Sequence, residues 1–179
     1  DISEVSTVTL KAGLVCIGSG NDITYTFSIP EDIVTTVTPQ FTNGSRSGYT
    51  ASYNSIEVFQ GTLIRKTFTV DGSLDQRFIL DNPSIDTSTI VVHVKDDAGG
   101  ADRGILFTQV DNILNINSTS STFLIQEVQD EKYELLFGDG IFGRKIENGK
   151  TISISYIITD GKDGNGPATF SFAGNIEND

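Results

Sequence analysis

Four glycines and two acids stand among the thirteen residues FGDGIFGRKIENG, Phe137 to Gly149. That composition can cradle a phosphate, hold a calcium ion or simply turn the chain. A phosphate cradle needs a helix start behind its glycines, and an alternating apolar segment follows here instead. GSG at Gly18 to Gly20 fails in the same way, because it lacks the third glycine and the Lys-Ser/Thr pair, and a second strand pattern follows it; it reads as a β-turn. His93 is the only histidine and lies between Val92 and Val94, on the face opposite the apolar one. Without a second imidazole or a serine-elbow motif it reads as an outward strand residue. DGKDGNG offers the oxygen ligands Asp160, Asp163 and Asn165, so weak calcium binding stays open there. The spacing is not that of a twelve-residue calcium loop, however, and no bidentate glutamate follows at the right distance, so a plain connection is the simpler reading. Two acids brought together by strands could hydrolyse a glycoside, yet the chain has no tryptophan to serve as a sugar platform. No catalytic, cofactor-binding or metal-ligating residue is assigned, and no cofactor is expected.

The elements around these residues repeat with period two. In DITYTFSI, Ile23, Tyr25, Phe27 and Ile29 alternate with Thr24, Thr26 and Ser28, the pattern of a half-buried strand. Val8, Leu10, Ala12 and Leu14 share one face, as do Ile64, Phe68 and Val70, then Ile90, Val92 and Val94. Tyr133, Leu135 and Phe137 follow, then Ile152, Ile154, Tyr156 and Ile158, and ATFSF closes the series with Phe170 and Phe172. Clusters such as GSGND, FTNGSRSG, LDNPSIDTST and KDDAGGADRG punctuate the runs. One helical candidate, GILFTQVDNILN, places Leu106, Val110, Ile113 and Leu114 at helical spacings without a good cap. The pattern predicts a mainly β chain: antiparallel, sandwich-like units with long Gly/Asp-rich loops and at most one or two short helices. Its expected organisation is a fragment of a larger subunit in which 1–45 and 130–179 form one β unit around an inserted unit at 46–129.

Charge and composition narrow the partners. Twelve basic against twenty-four acidic residues give a net charge of -12 over 179 residues, so nucleic acid and anionic lipid are expected to be repelled. The charges sit singly rather than in blocks, as on solvated faces. Cys16 is the only cysteine and falls in the apolar run Leu14 to Ile17, which suits a small buried hydrophobe in a reducing compartment. No apolar window is long enough for a membrane span. The lack of methionine, even at position 1, reads as a piece of a longer chain.

For Phe137 to Gly149 itself, Asn148-Gly149 is a strong hairpin signal. A two-residue loop would pair Glu147 with Lys150 but set the apolar faces out of phase. A three-residue loop of Glu147, Asn148 and Gly149 puts glycine at the left-handed position and sets Phe142 opposite Ile154. The second register is expected, with Gly138, Asp139 and Gly140 making an earlier turn.

YELLFGDGIFGRKIENGKTISISYIITDGKDGNG resembles the baseplate J-like and baseplate wedge proteins of contractile-tailed bacteriophages. Their pattern is matched at Phe137, Gly138, Asp139 and Gly140, then Gly143, Gly149, Tyr156, Gly161 and Asn165-Gly166. IEVFQGTLIRKTFTVD, RFILDNPSIDTSTIVVHV and FLIQEV are similar to the T-even type wedge subunit, so the likeness runs from about Ile23 to Gly174. One departure is Gln60-Gly61, where the pattern has an acid before the glycine. The resemblance implies a virion structural protein, not an enzyme. It would associate with itself and with other wedge subunits in the ring around the tail hub and transmit the trigger for contraction, after assembly in the host cytoplasm. The alternative is a carbohydrate- or receptor-binding β-sandwich of a fibre or adhesin.

Overall fold

The computed structural model describes residues 6–20, 22–96, 99, 102–161 and 166–178. Its strands are β1 (Thr7–Leu10), β2 (Gly13–Gly20), β3 (Ile23–Ile29), β4 (Ile33–Thr42), β5 (Ser45–Ala51), β6 (Phe59–Gln60), β7 (Thr62–Thr69) and β8 (Phe78–Leu80). They continue with β9 (Ile85–Lys95), β10 (Ile105–Gln109), β11 (Thr122–Val128), β12 (Lys132–Phe137), β13 (Thr151–Ile158), β14 (Thr169–Phe172) and β15 (Ile176–Asn178). Helical structure among the described residues is confined to short 3-10 stretches such as Gln129–Glu131. The chain is thus mainly β with predominantly antiparallel sheets. No helix among the described residues is long and apolar enough to cross a membrane.

The chain divides into two units, Asp1–Leu63 with Thr159–Asp179, and Ile64–Ile158. The expected boundaries at 45/46 and 129/130 differ from this division: β12 and β13, placed by sequence in the outer segments, belong to the second unit. Their apolar faces enter its core, and β12 pairs with β8 and β11 while β13 pairs with β9.

The first unit carries two four-stranded sheets, ordered β15-β1-β4-β5 and β14-β2-β3-β6. Leu10, Val15 and Ile29 form its small core with Ile33, Tyr53 and Ile56 around them. The chain changes sheet between β1 and β2. There Gly13 takes φ +121 and the Asp32 carboxylate accepts the Ala12 N–H at 2.7 Å and the Lys11 ammonium at 2.6 Å. A bulge follows between Leu14 and Cys16. The expected face of Val8, Leu10, Ala12 and Leu14 is therefore broken: Val8 and Leu10 are buried, but beyond the corner Val15 is buried and Leu14 faces out. Ile29 is buried and Ile23 exposed, so the face predicted for β3 is covered at one end only. Phe170 and Phe172 are largely exposed, with Phe170 set edge-on to Phe27 at 5.3 Å. Burial pushes the Cys16 thiol up from its ordinary pKa, as expected for a half-buried thiol.

The second unit is one seven-stranded sheet, β7-β13-β9-β10-β11-β12-β8. Its edge strands β7 and β8 meet through the Phe68–Phe78 edge-to-face pair at 5.5 Å and the Lys66–Asp81 ion pair at 2.5 Å, so the sheet curls as a barrel does. Ile90, Val92 and Val94, with Ile152, Ile154 and Tyr156, line the core as their alternation predicts. Phe137 packs edge-on to Phe78 and Phe107 at 5.3 and 5.8 Å. Glu134 is buried beside these residues and is met by Arg77, whose Nε and Nη2 donate to its two oxygens at 2.8 and 2.6 Å. The guanidinium holds the Glu134 carboxyl below its usual pKa.

The helix expected over GILFTQVDNILN is not formed. Residues 105–109 are strand β10, paired with β9 through Ile105↔Val94 and Phe107↔Val92. After it, the Asn112 carboxamide accepts the Leu114 N–H at 3.0 Å, a local turn that competes with helix. The apolar spacing read as helical belongs in part to a period-two strand.

Candidate functional site

In the Phe137–Gly140 motif, phenylalanine is structural and the three residues after it build a closed loop. A Cβ on Gly138 would lie 2.2 Å from the Gly143 carbonyl carbon, so two backbones touch there and only glycine fits. Gly140 N–H donates to Gly143 O at 3.0 Å, closing the loop, and Gly143 takes φ +87. Asp139 Oδ1 accepts the N–H groups of Ile141 and Phe142 at 2.8 and 2.9 Å, which holds its carboxyl below the usual range. The neighbouring loop is tied on through Gly143 N–H to Asn117 O at 3.1 Å and Arg144 N–H to Ser120 O at 2.8 Å. The expected turn is present, but Asp139 organises it more fully than its spacing revealed. Ile141 and Phe142 are left 69% and 54% exposed at the tip.

The hairpin expected after this loop is absent. Phe142 does not face Ile154, because β13 is flanked by β7 and β9 and has no open edge for residues 141–146. Asn148 and Gly149 instead sit in a turn in which Lys150 N–H donates to Glu147 O at 3.2 Å, and Gly149 takes φ +85. Gly149 N–H and Lys150 O bond to Val70, at 2.8 and 2.9 Å, which starts the ladder on β7. The left-handed glycine was legible; its partner strand was not.

Tyr156 is fully buried, and its hydroxyl donates to Asn82 Oδ1. It sits where the β13–β9 register jumps between Ser155↔Val91 and Ile157↔Asp86. Thr89 fills the irregularity by accepting the Ile157 N–H at 2.9 Å and donating to Asp86 O at 2.7 Å. His93 pairs in register with Ser153 and with the exposed Leu106, on the face opposite the buried Val92 and Val94 as expected, and is half-buried there. Gly161 is exposed at φ +60, and Gly166 lends its carbonyl to a close approach against Gly20, where a Cβ would lie 2.3 Å away. These residues share a sequence pattern but do not converge on one pocket.

Gln60 has a role that sequence did not reveal. Its carboxamide oxygen accepts from Thr159 Oγ1 at 2.8 Å and Asp160 N–H at 2.9 Å, while its nitrogen donates to Asp160 Oδ2 at 2.8 Å. A glutamate would set a second carboxylate against Asp160, so the departure at this position is chemically matched to its neighbour. Of the three calcium candidates, Asp160 is thus engaged by Gln60, and Asp163 and Asn165 lie outside the described residues. Among the described residues no three His, Cys, Asp or Glu side chains gather as a metal site.

Two surface features stand apart. The first is a cleft of about 350 Å³ at the base of the Gly138 loop, lined by Val70, Phe78, Leu135, Leu136, Phe137 and Ile146. The second is the distal part of the β4–β5 hairpin, where residues 38–47 are all exposed around an Asn43-Gly44 turn with φ +54 and +80. The register Val37↔Ala51, Pro39↔Tyr49 and Phe41↔Arg46 sets an apolar and aromatic stripe on one face, while Thr36, Thr38, Gln40 and Thr50 occupy the alternate positions. Arg46 lies over the Tyr49 ring at 5.3 Å. The Asn-Gly pair signalled this turn in the sequence, but its exposure depends on which strands fail to cover it.

No family model and no curated protein matches the chain.

Proposed function

We propose that this chain is part of a structural subunit of a contractile-phage tail baseplate, a wedge component that binds copies of itself and other wedge proteins around the tail hub. The observation that carries the reading is the β4–β5 hairpin. A two-stranded ribbon is marginal alone in water, and this one holds Val37, Pro39, Phe41 and Tyr49 along one face with Phe41 63% exposed. Such a ribbon gains stability when a neighbour covers the stripe. Pro39 lacks the N–H that a new strand would need, which favours contact through the face over extension of the sheet. The Phe137–Gly166 pattern adds the resemblance to wedge proteins. On this reading the protein is not an enzyme, takes no cofactor, meets neither nucleic acid nor membrane, and resides in the virion tail after assembly in the host cytoplasm.

The test is hydrogen exchange on the full-length subunit, alone and mixed with its neighbouring baseplate proteins. Backbone amides of residues 38–50 are expected to gain protection on assembly, and Phe41→Ser is expected to weaken incorporation without lowering the subunit's melting temperature. A hairpin as exposed in assembled particles as in the free subunit would remove the reading's main support.

A further inference from the structure

We propose that the Gly138–Gly143 loop and the cleft at its base form a reciprocal self-contact: Ile141 and Phe142 of one copy enter the cleft of a second copy and receive that copy's pair in return. The inference deepens the assembly reading and rests on it for its setting, but it concerns a different surface from the β4–β5 hairpin.

The loop is built to present apolar side chains. Ile141 and Phe142 are adjacent and exposed, and their N–H groups are both held by Asp139, so the tip cannot fold inward without losing those bonds. The Gly138–Gly143 approach and the bonds to Asn117 and Ser120 fix it further. A preordered apolar tip loses little freedom on binding. The cleft has matching chemistry. Its walls include Phe78, Leu135 and Phe137, residues of the core cluster, so a side chain entering it would extend the core. About 350 Å³ is at the lower end of the range for sites that enclose an organic group, enough for a phenyl ring with an aliphatic neighbour.

The occupant is a second copy for two reasons. Gly138 and Asp139 belong to the loop and also line the cleft, so projection and recess lie side by side, and a two-fold axis between them satisfies both at once. Charge favours the same place. Copies of a chain at -12 repel each other, yet the cleft itself is nearly balanced: Glu134 is met by Arg77, which leaves Asp139 and Lys145, while nearby Lys150 is held by Asp96 and Glu147. Lys145 and Asp139 both line the cleft, so each copy can set a base against the other's acid. Leu74, fully exposed on the loop that rims the cleft, is the internal competitor. Gln76 pins that loop by accepting from Asp71 N–H at 3.0 Å and donating to Thr69 O at 2.7 Å.

Sedimentation equilibrium of the 179-residue chain reads the contact directly. The wild type is expected to be a reversible dimer, and Phe142→Ser to weaken association about thirtyfold, the scale of one interface hot spot, with an unchanged melting temperature. Leu136→Lys, at the cleft rim, is expected to dissociate the dimer similarly. An equimolar mixture of the two variants keeps one intact projection facing one intact cleft, so it should associate more tightly than either variant alone. A monomeric wild type at high concentration, a Phe142→Ser chain that dimerises as before, or a mixture no better than its parts would overturn the proposal. So would a lowered melting temperature for Leu74→Ser, which would mean the cleft is closed from within. If the chain is monomeric while the full subunit still enters the ring through the hairpin, this contact falls and the assembly reading stands. If the loop dimer forms but the subunit joins no baseplate neighbour, the reverse holds.

Discussion

Replacing Gly138 by alanine should damage this protein more than replacing Gly149, although only Gly149 has a left-handed backbone. A Cβ on Gly149 meets nothing within 4 Å, so its substitution carries the conformational cost of φ +85 alone, about 1–2 kcal/mol. At Gly138 the added carbon would lie 2.2 Å from Gly143 C and 2.3 Å from Gly143 O. Neither obstacle is a side chain that can swing away. Relief requires the two backbone segments to part by more than an ångström, which strains or breaks the bonds Gly140 to Gly143, Gly143 to Asn117 and Arg144 to Ser120. Overpacking strain of about 1–3 kcal/mol, together with hydrogen bonds of about 1 kcal/mol each, gives about 3–5 kcal/mol in all. For a chain of this size that corresponds to a fall in Tm of about 6–20 °C, against about 2–8 °C for Gly149→Ala. Thermal unfolding followed by circular dichroism, with urea midpoints as a second measure, separates the two. Equal, mild losses would refute the reasoning, since they would mean that the 138–143 approach relaxes freely and does not hold the loop.

Gln60→Glu should lower the urea midpoint at neutral pH by the equivalent of about 1–2 kcal/mol, because a donor to Asp160 becomes a like charge; the deficit should shrink in acid, and a pH-independent deficit would point to lost packing instead. The Arg77 guanidinium depresses the folded pKa of Glu134, so the stability it confers is present above the ordinary glutamate range and is lost as pH falls from about 4.5 through the depressed folded value. Arg77→Ala should therefore flatten the acid limb of a plot of urea midpoint against pH; an unchanged limb would exclude the pair as its source. Tyr156→Phe should cost about 1 kcal/mol through the lost bond to Asn82, measured by urea unfolding, and no change would mean that Asn82 finds another donor. Chelator should leave Tm unmoved. A drop restored by calcium would make Asp160, Asp163 and Asn165 ligands.

How far the sequence could be read depended on whether a local pattern or a distant strand decided the outcome. Ile152, Ile154 and Tyr156 enter the core as predicted because β13 is covered on both edges and its one register jump comes only at Tyr156, after which Ile157 is buried as well. The run from Val8 to Leu14 failed because Asp32, far along the chain, helps to hold the corner at Ala12, and nothing in the alternation marks it except Gly13. Gly149 was legible as a left-handed turn because the requirement lies within a few residues. Its pairing was not, since Val70 rather than the preceding segment supplies the ladder. Asp139 looked like a turn residue and is one, but its grip on two amides depends on Gly138 touching Gly143, a contact that spacing cannot reveal. Gln60 read as a small departure from a pattern, and only the fold sets it beside Thr159 and Asp160.

The placement of β14 and β15 carries a consequence for synthesis. These strands pair with β2 and β1, so the first unit is incomplete until residues 169–178 have been made. The second unit, Ile64–Ile158, is continuous and can fold as it leaves the ribosome. At about 5–20 residues per second, the edges of β1 and β2 wait on the order of 10 to 30 seconds for their partners, while the whole intervening unit is translated. During that interval a nascent neighbour on the same message presents the same open edges. Neither β1 nor β2 carries a charged residue or a proline to deter such pairing, so the exposure of half-built chains to one another ends only when β14 and β15 arrive.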